Sequence, residues 1–393
     1  MTGDARQVEA LLTVDLDAVV SNWQLLAAMA GRAECSAVVK ADAYGLGAIQ
    51  VSAALEAAGC RTFFVAHSGE GLELRRTLRP DSRVFVLNGA PAGREPQLAE
   101  ATLTPVVNTF RDLAAWRSCA AASGRPLPVA LQIDTGMARL GLTPEDVEMI
   151  SADDSLLQGL SVELVMSHLA CADEQGHAAN EAQRCEFERL RSLLPDAPAS
   201  LANSSGAFLG KGFHFDVLRP GAALYGINPT PWTSNPMRQT VGLRARVIQT
   251  RKVKAGTPVG YGHRATVDRD TSLATISLGY ADGWPRSAGA AAFHLGQPMP
   301  FLGRVSMDSI VLDASQCTAM PLEGDFVDLI CPRQTVDDIA GAAGTIGYEM
   351  LTRLGRRFHR TYVDSRSARP GDHTKSPRQM PGSSNPPQRS GSL

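Results

Sequence analysis

A chain of 393 residues, 44% hydrophobic and 20% charged, carries ample apolar material for a core and is long enough for two domains. A net charge of −2 gives no electrostatic reason to bind nucleic acid or an anionic membrane, and no apolar run approaches the ~20 residues that span a bilayer. The seven cysteines are scattered with no CxxC pair, which argues against a disulfide framework or a zinc ribbon, so no metal site is expected.

In chain order, the opening MTGDARQVEA holds Asp4 and Glu9 and no apolar stretch. A secretory signal is therefore not expected, and a reducing cytoplasm fits best. Residues 11–16 alternate like an edge or capping strand, followed by a helix from Asp17. From there to about residue 230, short apolar runs alternate with amphipathic stretches. The runs at 36–39, 62–66, 83–87, 103–107, 128–133, 161–166, 199–202 and 217–225 predict strands. Helices are predicted between them, among others at 51–58, 68–78, 109–122 and 144–152. Strands alternating with helices imply βαβ units and a parallel sheet. Eight such units suggest a closed (β/α)8 TIM-type barrel, although an open doubly wound sheet has the same rhythm. After about residue 240 the texture changes. Short strands at 243–253, 273–278, 299–304, 310–312 and 326–330, with Gly, Pro and Asp between them, predict a mostly-β domain. From Arg366 the Pro, Ser, Gly and Arg content predicts a disordered tail. The expected division is a barrel over 1–238, of which 1–16 could pack with the second part, a β domain over 239–365, and a tail over 366–393.

The chemistry-bearing residues fall at the predicted strand ends. The chain has five lysines, and Lys40 alone closes an apolar run, in SAVVKADAYGLGA. Functional side chains of a barrel sit at the C-terminal ends of its strands. A lysine partly removed from water there has a lowered pKa, and its amine is free to form an imine with a carbonyl. QIDTGMARLG ends a strand at Asp134 and puts Arg139 in the loop. VMSHLACADE ends at His168, SLANSSG at Asn203, Ser204 and Ser205, and LRPGAALYG brings Arg219, Gly221 and Tyr225. Hydroxyls and backbone N–H groups after the seventh and eighth strands of a barrel can cradle a phosphate. Each residue alone has a plainer reading: a lysine snorkelling to the rim, a satisfied core histidine, surface arginines, Asn203 or Ser204 capping a helix. Their grouping at one rim carries the argument.

Nine strings in order, VVKADAYGLGA, DTGMARLG, SHLACADE, LANSSG, RPGAALYG, VGYGHRA, GYADGWPR, GRVSMD and TIGYEMLTRLGRR, resemble alanine racemases. The resemblance runs from about Leu12 to Val363. It implies a pyridoxal 5′-phosphate enzyme that interconverts L- and D-alanine, with a barrel, a C-terminal β domain and a head-to-tail homodimer that shares its active sites. It further implies a cytoplasmic bacterial protein supplying D-alanine for peptidoglycan. Catabolism of L-alanine is also compatible, and a broad-specificity or serine-preferring racemase is the alternative.

By that resemblance Lys40 holds the cofactor and is the base for D-alanine, and Tyr261 is the opposite base, reaching L-alanine from the partner subunit. Arg139 binds the substrate carboxylate, and Met307 contacts substrate from the partner subunit. Tyr44, Ser204 and the Gly221 backbone contact the phosphate. Arg219 meets the pyridine nitrogen, Asn203 lies by the cofactor, and His168 could hydrogen-bond between Arg219 and Tyr261. Tyr280 and Asp282 are packing residues or line the substrate entrance. Two bases are what the chemistry needs, since a Cα proton leaves one face and returns to the other. One position departs from the family: relatives often carry a carbamylated lysine seven residues before the substrate arginine, and here that residue is Gln132. Its amide is expected to hydrogen-bond Arg139 without supplying a negative charge.

Overall fold

A computed structural model describes residues 8–365; the predicted tail lies outside the described residues. Seven parallel strands run in chain order from Ala37–Val38 through Thr62–Val65, Arg83–Val86, Thr104–Val107, Leu127–Gln132 and Leu160–Met166 to Ala199–Ser200. An eighth, Val217–Leu218, closes the ring. The amides of Asp216 and Arg219 donate to the carbonyls of Ala199 and Ala202 on one side, and those of Glu34, Ser36 and Val38 donate to Asp216, Leu218 and Pro220 on the other.

Side-chain parity explains why these short runs form a barrel. Val38, Phe64, Phe85, Val106, Ala130, Leu164, Met166 and Val217 pack together inside the ring. Their chain neighbours Ala37, Val39, Phe63, Val65, Val84, Val86, Val107, Val129, Leu131, Val165 and Leu218 join the outer core, where the helices pack. Period-two alternation with both faces apolar is what a closed parallel sheet under a helical layer requires. The stacked rings of Phe64 and Phe85, 4.9 Å apart, fill much of the interior.

The mostly-β part is an eight-stranded sheet. Its backbone is the long strand Val241–Val253, which pairs with Thr271–Ile276, with Phe326–Ile330 and with Ala10–Asp15. The N-terminal strand is not the edge its alternation suggests. It pairs antiparallel with Val241–Val253 and parallel with His359–Val363, and so lies inside the sheet. Its following helix, Leu16–Ala30, starts where the Asp15 carboxylate caps the Ala18 amide at 2.8 Å.

Other expectations shift as well. The run 217–225 is strand only at Val217–Leu218, because Pro220 breaks the ladder and Ala222–Tyr225 coil into a 3-10 turn. The strand expected at 299–304 is Gln297–Pro300, hairpinned to Ala291–His294. The helix expected between the 161–166 and 199–202 strands, for which no bounds were predicted, is Ala178–Arg191. Its composition is polar, and ion pairs from Arg184 to Glu181 and Glu188 line its outer face. Among the described residues no helix is long and apolar enough to cross a membrane.

Candidate active site

The parity of the barrel strands decides which side chains reach the C-terminal mouth. Two residues beyond an inward-facing residue, the next inward position lies at the rim. Lys40 follows Val38 in this way, Leu87 follows Phe85, His168 follows Met166 and Arg219 follows Val217. All four line one cavity of about 480 Å³, together with Tyr44, Arg139, Asn203, Ser204 and Gly221. The eight candidate residues of the barrel are therefore brought to one place.

Lys40 is half-buried, and among the described residues its amine has no hydrogen-bond or ion-pair partner. Burial lowers its pKa and the charge of Arg139 lowers it further; Glu70 pulls it back up in part, and Arg219 adds a weaker downward push. The chain after it does something unusual. Ala41, Asp42, Ala43 and Tyr44 all take left-handed dihedrals, with φ of 53, 55, 52 and 58°. At about 1–2 kcal/mol per L-residue, such a turn persists only where surrounding bonds over-determine it. The Asp42 carbonyl accepts from the Gly47 amide at 2.9 Å, and its side chain accepts from Ala48 at 2.7 Å. Tyr44 is clamped against Tyr225, ring centroids 4.7 Å apart, and burial raises its hydroxyl pKa.

That clamp sets Tyr44 beside Gly221. A Cβ at Gly221 would lie 2.5 Å from the Tyr44 hydroxyl, so a side chain there would displace Tyr44. The Ser204 hydroxyl accepts from the amides of Gly221 and Ala223 at 3.0 and 3.2 Å. Two hydroxyls and the 221–223 turn thus converge on the cavity wall. Asn203 turns its amide oxygen to the Gly206 amide at 2.9 Å and so holds the Ser204 turn in shape.

Arg219 is buried, and its guanidinium donates to the Ser200 hydroxyl and the Ser167 carbonyl. Both partners are neutral. Burial pushes its pKa down to about 9, still well above neutrality. His168 is pushed down to about 3 by burial and by the charges of Arg219, Arg139 and Lys40, so its ring is neutral at pH 7. Among the described residues its side chain bonds neither Arg219 nor Tyr261; only its carbonyl is held, by Gln183 at 3.0 Å.

Arg139 stands exposed at the rim, in a loop whose amides at 136, 137 and 138 all bond the Asp134 carboxylate. Gln132 is buried, but its amide donates to the Leu140 carbonyl at 3.1 Å. It bonds the backbone next to Arg139, not the guanidinium, which corrects the contact expected for it.

Tyr261 and Met307 do not join the cavity. They are 70% and 53% exposed, in loops of the β part. The Met307 loop packs on the 279–283 turn, with the Ala281 amide donating to the Met307 carbonyl at 3.0 Å. Arg357 ties both loops, reaching Asp282 at 3.1 Å and Asp308 at 2.7 Å. Asp282 is thus a buried structural anchor, and Tyr280 is exposed. The helix Gly347–Arg353, by contrast, contributes Tyr348, Glu349 and Thr352 to the cavity. Their string, TIGYEMLTRLGRR, was among the nine, yet no role was assigned to its residues. Their spacing over one helical turn, which puts them on one face, was the available signal.

A family model of the alanine racemase N-terminal domain matches residues 14–229, and one of the C-terminal domain matches 240–362. The chain belongs to the alanine racemase family. These are isomerases. A catabolic alanine racemase of Mesorhizobium japonicum is 55% identical over 355 residues, 90% of this chain and 93% of the relative. An alanine racemase of Rhodospirillum rubrum is 47% identical over 367 residues, covering 92% of this chain and 97% of that one. The crystal structure of alanine racemase from Bartonella henselae, with covalently bound pyridoxal phosphate, superposes with a TM-score of 0.88 at 39% identity. It covers 91% of this chain and all of that one. The racemase fold therefore extends through both the barrel and the β part.

Proposed function

We propose that this chain interconverts L- and D-alanine with pyridoxal 5′-phosphate held in the barrel mouth. The observation that carries this is the cavity itself. Lys40, Arg139 and Arg219 place three basic side chains on its wall against one carboxylate, Glu349. Such a wall fits an anionic cofactor and a carboxylate substrate. The cradle fits as well, since the bare Cα of Gly221 lets the Tyr44 hydroxyl come close to it, and the hydroxyls of Tyr44 and Ser204 on the cavity wall are donors for a phosphate.

When bound, pyridoxal phosphate supplies the electron sink that acidifies the Cα proton of an attached amino acid. The chain's own residues do the rest. Lys40 is the covalent anchor, and its lowered pKa leaves the amine able to take a proton from D-alanine. Tyr261 from the partner subunit of a homodimer takes the proton on the opposite face, which accounts for a catalytic tyrosine exposed and outside its own chain's cavity. Met307 enters from the same partner. Arg139 orients the carboxylate. Arg219, cationic and bonded to neutral groups, offers the ring nitrogen a donor and no proton acceptor. His168 and Asn203 complete the cofactor's surroundings. In this reading 1–238 bind cofactor and 239–365 complete the partner's site. A cytoplasmic location is supported by seven unpaired thiols.

Enantiomers have equal free energy, so the same site can make or remove D-alanine. Supply of D-alanine to peptidoglycan is one reading. Use of alanine as a nutrient is the second, favoured by two relatives named catabolic. Purified protein incubated separately with L-alanine, L-serine and L-lysine, with enantiomers then resolved, tests the activity and separates it from a broad or serine-preferring racemase. Lys40→Ala should lose borohydride-fixable cofactor; a variant that keeps it would refute the anchor. Requirement of a deletion strain for D-alanine supports peptidoglycan supply. Failure only on alanine as carbon source supports catabolism.

A further inference from the structure

We propose that Glu70 is a positioning residue for Lys40, a clamp that holds the left-handed turn bearing the lysine against the second barrel strand. The proposal rests on the site reading above, in that Lys40 is its reacting amine. Glu70 is the third residue of the helix Ser68–Arg75. One carboxylate oxygen accepts from the Ala66 and His67 amides at 2.8 and 3.0 Å, as a residue capping its own helix would. The other oxygen accepts from the Ala41 amide at 2.6 Å, 29 residues away. Capping accounts for the first pair and leaves the third bond unexplained.

The placement of that bond gives it a purpose. Val39, before Lys40, is tied to the barrel through its amide and the Phe64 carbonyl at 2.9 Å. Ala41, after it, is tied through Glu70. The lysine is therefore fixed from both sides to the same neighbouring strand and its loop. Ala41 is also where the four left-handed residues begin, in a conformation each of them resists. Charge-assisted bonds to backbone N–H groups are the stronger kind. The carboxylate also stands close enough to oppose part of the loss of basicity that burial and the two arginines impose on Lys40.

Chemistry makes the residue type specific. Both oxygens of Glu70 accept. A glutamine has one accepting oxygen and one donating amide, so it can satisfy Ala41 or the Ala66–His67 pair but must turn a donor on the other. Aspartate keeps two acceptors, yet is one methylene shorter and should cap its own helix without reaching Ala41.

The test compares Glu70→Gln and Glu70→Asp with Glu73→Gln, on the same helix, in the full-length holoenzyme. Hydrogen exchange of peptides spanning 41–44 should quicken about tenfold in Glu70→Asp, which loses the Ala41 bond, and severalfold in Glu70→Gln, which loses the link between Ala41 and the 66–67 loop, with barrel-strand peptides and the Glu73→Gln control unchanged. For alanine racemisation, kcat should fall about tenfold with KM within about twofold. Unchanged exchange at 41–44 would overturn the proposal. So would a loss spread evenly over the chain, or an equal effect of Glu73→Gln, since each would reduce Glu70 to a helix cap. If the parent enzyme fails to racemise alanine, the functional reading falls while the exchange contrast still decides the clamp. If Glu70→Gln does not fold, Glu70→Asp carries the comparison.

Discussion

At the mouth of the barrel, His168 is a base held neutral by its surroundings. Its pKa lies near 3 in the folded protein against 6.5 for a free histidine. As pH falls through 6.5 the unfolded chain takes up a proton that the folded chain refuses. Stability is therefore lost on acidification between 6.5 and about 3. In His168→Gln the melting temperature should fall less steeply over that window than in the parent; equal slopes would show that His168 titrates normally. Gln132 acts through a neighbour. Its amide bonds Leu140, one residue beyond Arg139, so Gln132→Ala should loosen the loop and raise KM for alanine roughly fivefold, the worth of about one hydrogen bond. The parent's activity should not depend on bicarbonate, because an amide does not form a carbamate. Steady-state kinetics with and without bicarbonate check both statements. Lys40, His168 and Arg219 were legible in the sequence as strand-end residues, whereas the inward side of Val38, Met166 and Val217 was not, because both faces of these strands are apolar. The partners of Gln132 and Glu70 were not, since they are set by loops meeting from different strands.

Among the elements, the short turns are the most exacting. The 41–44 turn has no glycine, so nothing in its composition announces a left-handed path; tertiary bonds impose it. The 221–225 turn is the reverse case. Gly221 has an ordinary negative φ of −126°, and it is glycine because Tyr44 stands where a Cβ would go. Gly221→Ala must push Tyr44 aside and should weaken cofactor binding about tenfold or more, with the melting temperature of the cofactor-free protein changed much less. Equilibrium dialysis against pyridoxal phosphate measures this, and unchanged affinity would remove Tyr44 and Gly221 from the phosphate cradle. Similarly, the strand Ala10–Asp15 alternates like an edge strand, but its two partners lie 226 or more residues further on, beyond the reach of any local pattern.

Over the whole molecule, the cavity of one chain gathers Lys40, Arg139 and Arg219, while Tyr261 and Met307 remain outside it and exposed. If the bases come from two subunits, mixing inactive Lys40→Ala with inactive Tyr261→Phe should restore activity. Random reassortment makes half the dimers mixed, and each mixed dimer holds one intact site, so about a quarter of the parent's specific activity is expected for a dimer. No recovery after proven subunit exchange would mean that each site is built within one chain. The residues in chain order already carried the alternation of strand and helix, the placing of Lys40, His168 and Arg219 at strand ends, and the nine ordered strings of the family. Those are properties of neighbouring residues, and a period of two is written in neighbours. The interior place of the N-terminal strand, the loop contacts of Glu70 and Gln132, and the separation of Tyr261 from Lys40 came from the folded chain. Each depends on which distant segments pack together, and packing is a sum of contacts across the fold that no local run of residues contains.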